Sequence, residues 1–544
     1  MANKQTQTKY IIVTGGVLSG LGKGITAASL GLFFSNKYNI VPMKLDGYLN
    51  SDPGTMNPIE HGEVFVLDDG FEVDMDFGHY ERYLGNSAIK DQSLTMGRVF
   101  QEIQTKERAG EYLGKTVQMV PHVTNLIQEK IQNTAKKTNA DIMLIEVGGT
   151  IGDMETELFI EALRQLERKV KKQNMCYIHL TYIPIPGGVS EQKTKPTQQS
   201  VKMLQQRGIW PDFIVGRCSE NLTQTTKNKI SLFASIEPEA VFSAPDLDSV
   251  YKVPNKFNEQ GFIEKVCENL DMQLDNKNKL ESWNRLLNQE KTNNLKIAIC
   301  GKYTDLEDSY ASVVESLKHC EYNLNTNIEI IWFDTENFSQ NKSKLSNIDG
   351  IIVPGGFGSR GIQGKIDVIQ FARENKIPYL GICYGLQLAV IEFLRNVCNT
   401  PNATSMEIDK NATNPAITLL DEQKNIVQLG GTMRLGKYLG KLKLGIIHNL
   451  YKKLDLIDKN GFVSERHRHR FEVNPNVIDI IENHGLKVCG NSVERNLVEF
   501  IELESSQHPY FVATQSHPEL KSKLEKPAPL FYGLIQAALE LKTK

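Results

Sequence analysis

The sequence predicts an α/β protein built of two doubly wound domains. Two observations carry this reading: short β-rich apolar runs alternate with helical patterns through roughly the first half, and the same rhythm restarts at Lys296 after a polar stretch. Runs at 10–14, 41–45, 142–147, 176–183 and 213–215 read as buried parallel strands of the first domain. Those at 297–300, 328–332, 351–353 and 379–382 read as strands of the second. The expected division is 1–267 for the first domain, 268–295 for a linker and 296–544 for the second. The linker is rich in Asn, Lys, Gln and Glu, with one helix expected around Trp283, Leu286 and Leu287. Residues 396–425 are polar enough to be a surface excursion.

Composition narrows the class of protein. Forty per cent hydrophobic and 23% charged residues, with 62 Lys+Arg against 65 Asp+Glu for a net −3, disfavour a disordered, collagenous or nucleic-acid-coating chain. Eight cysteines without a C-x-x-C pair suit reduced thiols of the cytosol. The polar first nine residues do not read as a signal peptide, and no run of about 18 apolar residues suggests a membrane span. A cytoplasmic protein with no nucleic-acid or membrane partner is the expectation.

After the first strand comes Gly15-Gly16-Val17-Leu18-Ser19-Gly20-Leu21-Gly22-Lys23-Gly24, then a helical pattern. Such a turn wraps backbone N–H groups around a phosphate at the positive helix end, with a lysine neutralising the outer oxygens. Val17 stands where the standard loop has glycine, and Gly24 where it has the hydroxyl that touches Mg²⁺. A metal would therefore need carboxylates at strand ends, and Glu146 and Asp76 are the candidates beside glycine turns. Further on, Gln192-Lys193-Thr194-Lys195-Pro196-Thr197-Gln198 and Lys229 offer either a compact polyanion site or a solvated basic loop.

The second domain carries a sharper motif. Gly381-Ile382-Cys383-Tyr384-Gly385 lies between a strand and a helix, the thiol counterpart of the nucleophile elbow. Near the C-terminus an apolar strand delivers Ser516-His517-Pro518-Glu519, the best-placed base among 11 histidines with a carboxylate two residues on. The loop Pro354-Gly355-Gly356-Phe357-Gly358-Ser359-Arg360-Gly361 supplies N–H donors suited to an oxyanion hole. His467 and His469 alternate with arginines, which reads as a basic strand facing substrate or an interface and not as a metal site. Together these groups describe acyl transfer through a thioester.

The elbow, the Pro354–Gly358 glycine loop and His517-Pro518-Glu519 resemble a class I glutamine amidotransferase. With the front motifs Asp52-Pro53-Gly54-Thr55-Met56, His61-Gly62-Glu63-Val64-Phe65-Val66, Gly78-His79-Tyr80-Glu81-Arg82 and Lys193-Thr194-Lys195-Pro196-Thr197-Gln198, nearly the whole chain resembles the CTP synthase family. The resemblance implies an N-terminal P-loop synthetase that phosphorylates O4 of UTP with ATP, and a C-terminal glutaminase whose ammonia displaces the phosphate to give CTP. It implies Gly20, Leu21, Gly22, Lys23, Gly24, Asp76, Pro245, Asp246 and Leu247 at ATP, with Asp76 and Glu146 on Mg²⁺. Ser19, Asp153, Met154, Glu155, the 193–198 run and Lys229 would hold UTP, or CTP as feedback inhibitor. Cys383 would be nucleophile, His517 base and Glu519 its orienter, with Gly356, Tyr384, Gly385, Leu386, Gln387, Glu407 and Arg470 on glutamine. The 430–436 loop resembles the lid at which GTP activates, and the family implies a homotetramer.

Several positions depart from the family pattern: Gly47 replaces a usual proline, Tyr384 a leucine, Ser359 a tyrosine, Ser516 an aromatic residue and Pro245 a lysine. Pro245 cannot donate a backbone N–H. Two other readings compete: a related ATP-dependent amidoligase with a different acceptor, and a deviant P-loop ATPase or filament scaffold whose glutaminase is vestigial.

Overall fold

The computed structural model describes residues 7–274, 279–302, 307–356, 361–419 and 432–543. The chain forms two compact units, Met1–Asp52 with His79–Leu287, and Pro53–Gly78 with Asn288–Lys544.

The first unit is built on a seven-stranded sheet. Its strands are β1 (Lys9–Gly15), β2 (Ile40–Asp46), β3 (Ser93–Thr95), β4 (Ile142–Val147), β5 (Met175–Tyr182), β6 (Phe213–Cys218) and β7 (Val241–Pro245). They pair in the order β3-β2-β4-β1-β5-β6-β7, parallel at every step. A parallel sheet needs crossovers that cover both faces, which is why these strands read as continuous apolar runs. Strand β4 is buried along its whole length, as expected of a central strand. In such sheets ligands bind beyond the carboxyl ends of the strands. There β1 runs into the helix α1 (Lys23–Phe34), and the basic run opens the helix α2 (Lys195–Gln206).

The predicted linker helix exists as α3 (Lys279–Leu287). It packs as part of the first unit: Trp283 is 1% exposed, with its ring edge-on to Tyr83 at 4.9 Å and to Tyr251 at 5.5 Å. Burial of an indole this complete makes the helix a piece of core.

The second unit holds a nine-stranded sheet. Its strands are β8 (Asn293–Gly301), β9 (Thr326–Asp334), β10 (Gly350–Val353), β11 (Tyr379–Ile382), β12 (Arg434–Leu442), β13 (Phe462–His469), β14 (Leu486–Ser492), β15 (Val498–Leu503) and β16 (Phe511–Thr514). The order is β9-β8-β10-β11-β16-β15-β14-β12-β13, parallel as far as β16 and antiparallel beyond it. The doubly wound part is thus extended by an antiparallel meander. Alternation along β8 sends Ile297 and Ile299 into one core and Ala298 and Cys300 into the other. Part of the stretch read as a surface excursion is integrated too, since Ile417–Leu419 pairs antiparallel with Phe471–Val473 and Ile417 is buried.

Segment 53–78 belongs to this second unit although it lies early in the chain. It carries a small ribbon, Phe65–Val66 paired with Glu72–Val73, held against β13 by ion pairs. Arg466 Nε donates to Asp68 Oδ1 at 2.6 Å and Arg468 Nε to Glu72 Oε1 at 2.8 Å, while the Lys437 N–H donates to the Asp68 carbonyl at 3.0 Å. Division by sequence position alone, as 1–267 and 296–544, does not anticipate this interleaving.

Candidate active site

Strand pairing brings the predicted nucleophile and base together. Ile382 at the end of β11 is in register with Thr514 at the end of β16, so the residues that follow, Cys383 and 515–517, emerge side by side. The Cys383 N–H donates to the Thr514 carbonyl at 2.7 Å, and Cys383 caps the helix α4 (Tyr384–Asn396) with φ +52° and ψ −100°. That left-handed conformation is strained for a residue with a Cβ and marks a nucleophile elbow. It is tolerated because the turn is tight: a Cβ at Gly385 would lie 2.2 Å from the Val353 carbonyl. The thiol sits at the positive end of a helix.

His517 Nδ1 is 2.7 Å from Glu519 Oε1, which orients the ring and leaves Nε2 without a hydrogen-bond partner. Burial pulls the imidazole down, but the Glu519 carboxylate and the neighbouring Cys383 outweigh it and hold His517 up to about 10. A Cβ on Gly355 would lie 2.9 Å from His517 Cε1 and 3.6 Å from Cys383 Cβ, so the glycine loop passes directly over both. Its continuation, 357–360 with Ser359 and Arg360, lies outside the described residues. A cavity of about 190 Å³ opens here, with Cys383, His517 and Gly356 on one side and Gly54, Met56 and Glu63 of the early segment on the other.

The other expected glutamine contacts are arranged around the elbow and do not line that cavity. Leu386 is fully buried, and the Gln387 amide donates to the Phe471 carbonyl at 2.9 Å and to Gln515 Oε1 at 3.2 Å. Tyr384 is buried with an unpartnered hydroxyl, and burial pushes its phenol up beyond the ordinary range. The Glu407 N–H donates to Ser405 Oγ at 3.1 Å, and Arg470 Nη1 to Thr432 Oγ1 at 3.0 Å. Thr432 is the first described residue after the stretch 420–431, so of the 430–436 loop only Gly430 and Gly431 lie outside the described residues, and Arg434 to Gly436 open β12.

His467 and His469 do not face substrate or an interface. Both are 2% exposed and lie in a buried cluster in which Arg434 bonds Glu499 at 2.7 Å and Glu472 at 3.2 Å. Burial, reinforced by the Arg434 charge, drives both imidazoles well below their ordinary value and keeps them neutral. Period-two alternation is the reason: the histidines point into the unit, and Arg466 and Arg468 point to the early segment.

In the first unit Ser19 and Gly20 are exposed, Leu21 and Gly24 are buried, and Gly22 caps α1 at φ +88°. Lys23 Nζ donates to the Gly149 carbonyl at 2.7 Å, so the lysine reaches across to the glycine turn that follows β4. Val17 keeps φ +81°, the left-handed form a glycine would take there, despite its branched side chain. Glu146 pairs with Val13 of β1 and Lys44 of β2, and its carboxylate accepts from the Tyr80 hydroxyl. Lys44 Nζ lies 3.9 Å from both Glu146 and Asp46, so two buried carboxylates converge on one cationic position. Oxygen donors of that kind fit a hard divalent cation. Asp76 opens the helix Asp76–Leu84 and belongs to the second unit.

Asp153, Met154 and Glu155 are exposed, with Asp153 Oδ2 accepting from the Thr150 N–H at 2.8 Å. Lys195 and Lys229 are exposed, Pro196 lies in the first turn of α2, and Gln198 bonds Thr194 at 2.9 Å. Lys193 Nζ is 2.5 Å from Glu191, whose carboxyl is held below its usual range by that contact, with Lys229 adding to the effect. Lys193 and Lys229 thus both act on Glu191. Thr197 does not join them: its hydroxyl is buried against Thr181 at 3.2 Å. Pro245 ends β7, and Asp246 pairs with Arg217 at 2.6 Å.

Comparison with known proteins agrees with both halves. Residues 9–272 match the family described as CTP synthase N-terminus, and 305–537 match glutamine amidotransferase class-I. A CTP synthase of Archaeoglobus fulgidus is 47% identical over 98% of this chain and 99% of its own length. The chain belongs to the CTP synthase family. A CTP synthase of Borreliella afzelii is 48% identical over 98% of this chain and 99% of its own. Among solved structures, the glutaminase domain of Trypanosoma brucei CTPS with bound acivicin matches at 34% identity and TM-score 0.41, covering 45% of this chain and 94% of that one.

As a CTP synthase family member the chain has features at its glutaminase site that motif reading missed. Gln515, Arg468 and the 54–64 stretch surround the thiol. In the sequence, Gln515 is signalled only by its place two residues before His517, and its side chain does not titrate. Among the described residues no helix is long and apolar enough to cross a membrane.

Proposed function

We propose that this chain makes CTP from UTP, using ATP and ammonia released from glutamine. The observation that carries the reading is similarity to named CTP synthases over 98% of the chain, with both family halves present. In the glutaminase, Cys383 gives its proton to His517 Nε2 and its sulfur attacks the glutamine side-chain carbonyl. The C–N bond breaks as His517 protonates the departing ammonia, leaving a glutamyl thioester. Water, deprotonated by His517, then releases glutamate and restores the thiol. Because Glu519 holds His517 up to about 10, the imidazolium is well supported as the partner of a thiolate at neutral pH.

In the synthetase, O4 of UTP attacks the γ-phosphorus of ATP and ADP leaves. Ammonia then adds at C4 of the phosphorylated base and phosphate departs. Gly20 to Gly24 bind the ATP phosphates, with Pro245, Asp246 and Leu247 toward the adenine. Ser19, Asp153 to Glu155, the 193–198 run and Lys229 bind UTP, and CTP as inhibitor. Glu146 would hold Mg²⁺, which when bound offsets phosphate charge. Gly356, Tyr384 to Gln387, Glu407 and Arg470 surround glutamine. GTP activation, a homotetramer and a cytoplasmic location belong to the same reading. The test is direct: UTP, ATP, Mg²⁺ and glutamine are mixed with the enzyme and the cytosine chromophore is followed. CTP should form, and it should fail to form without UTP; glutamine hydrolysis with no CTP would sink the reading.

A further inference from the structure

Cys383 Sγ lies between two polar groups of opposite kind. The Arg468 carbonyl is 3.8 Å away and can only accept, whereas Gln515 Nε2 is 3.7 Å away and can only donate. When the sulfur loses its proton the carbonyl has nothing left to accept, and the amide N–H becomes the group that serves the anion. Gln515 is fully buried and its amide is held in place: its backbone N–H donates to the Glu499 carbonyl at 2.9 Å, which fixes the main chain, and its side-chain Oε1 accepts from the Gln387 amide at 3.2 Å. Gln387 is fixed in turn by the Phe471 carbonyl at 2.9 Å. The clamp on Oε1 decides which end of the Gln515 amide faces the sulfur.

We propose that Gln515 is a positioning residue that holds the Cys383 thiolate on the attack line by donating its side-chain N–H to the sulfur, with Gln387 fixing the orientation of the amide. The proposal rests on Cys383 being the nucleophile. Gln515→Met keeps the length and removes the donor; Gln515→Glu replaces it with an acceptor. The full chain is treated with iodoacetamide at pH 7, and alkylation of the Cys383 peptide is followed by mass spectrometry alongside glutamine hydrolysis. Gln515→Met should slow both alkylation and kcat about tenfold, with KM for glutamine changed less than twofold, and Gln515→Glu should be slower still. A packing role would not give that order. Alkylation and kcat within twofold of the unsubstituted chain in Gln515→Met, or a change in KM alone, would overturn the proposal. Should Gln515→Met fail to fold, Gln387→Met is read in the same way: slowed alkylation supports the proposal and an unchanged rate refutes it. Glutamine hydrolysis surviving in Cys383→Ala would instead show that the nucleophile itself is misassigned.

Discussion

Gly47 shows how one missing Cβ sets the packing of a neighbouring turn. A Cβ there would lie 2.7 Å from Glu155 Cβ and 2.9 Å from the Glu155 backbone, too close unless the 153–155 turn moves. At this position, where the family pattern has proline, the turn leaves no room for a Cβ. Gly47→Ala should push Asp153, Met154 and Glu155 outward, cost about 1–3 kcal/mol as an overpacked contact, and raise KM for UTP several-fold while glutamine hydrolysis is unchanged. Steady-state kinetics with each substrate varied would check it. An unchanged KM for UTP would mean the turn has room to spare or does not touch the nucleotide.

At the scale of elements, the segment 53–78 is secured to β13 chiefly through Asp68 and Glu72. Burial pushes the Asp68 carboxyl up, but the Arg466 guanidinium outweighs it and holds the group below the usual carboxylate range. A carboxyl lowered in the folded state stabilises above its unfolded value, about pH 4, and that contribution is lost as pH falls through the folded value. Asp68→Asn should thus cost about 1–2 kcal/mol at pH 7, and its gap from the unsubstituted chain should narrow as pH falls below about 4 and close only below the lowered folded value. Urea midpoints at several pH values would measure the gap; a pH-independent difference would assign the loss to packing. None of this was visible in the sequence, because Asp68 and Arg466 are 398 positions apart. What was legible was local. Apolar runs gave β4 and β11 to the residue, and the glycine-flanked Cys383 declared its turn. The antiparallel strands β12, β14 and β15 are not legible as apolar runs because their apolar residues are interrupted by Lys, Asn and Glu. Trp283 looked like part of a linker patch because only tertiary packing shows the aromatic partners it meets.

For the whole molecule, a net charge of −3 hides local cations: Lys23 lies against the glycine turn after β4, and Lys193 and Lys229 both act on Glu191. The chemistry divides the same way, since the thiol site lies wholly in the second unit and the phosphate loop wholly in the first. Ammonia made by one unit is consumed by the other, and free ammonia at neutral pH is mostly the non-nucleophilic ammonium ion, so the glutaminase supplies a reagent that solution supplies poorly. Two substitutions separate the halves. Cys383→Ala should abolish CTP formation from glutamine, yet leave CTP formation from a high concentration of ammonium salt within about threefold, because the synthetase keeps every group it uses. Lys23→Ala should lower both by about a hundredfold or more, because either nitrogen source needs the phosphorylated base. Product assays with glutamine and with ammonium chloride would decide. Loss of the ammonium reaction in a folded Cys383→Ala protein would show that the thiol site does more than release ammonia.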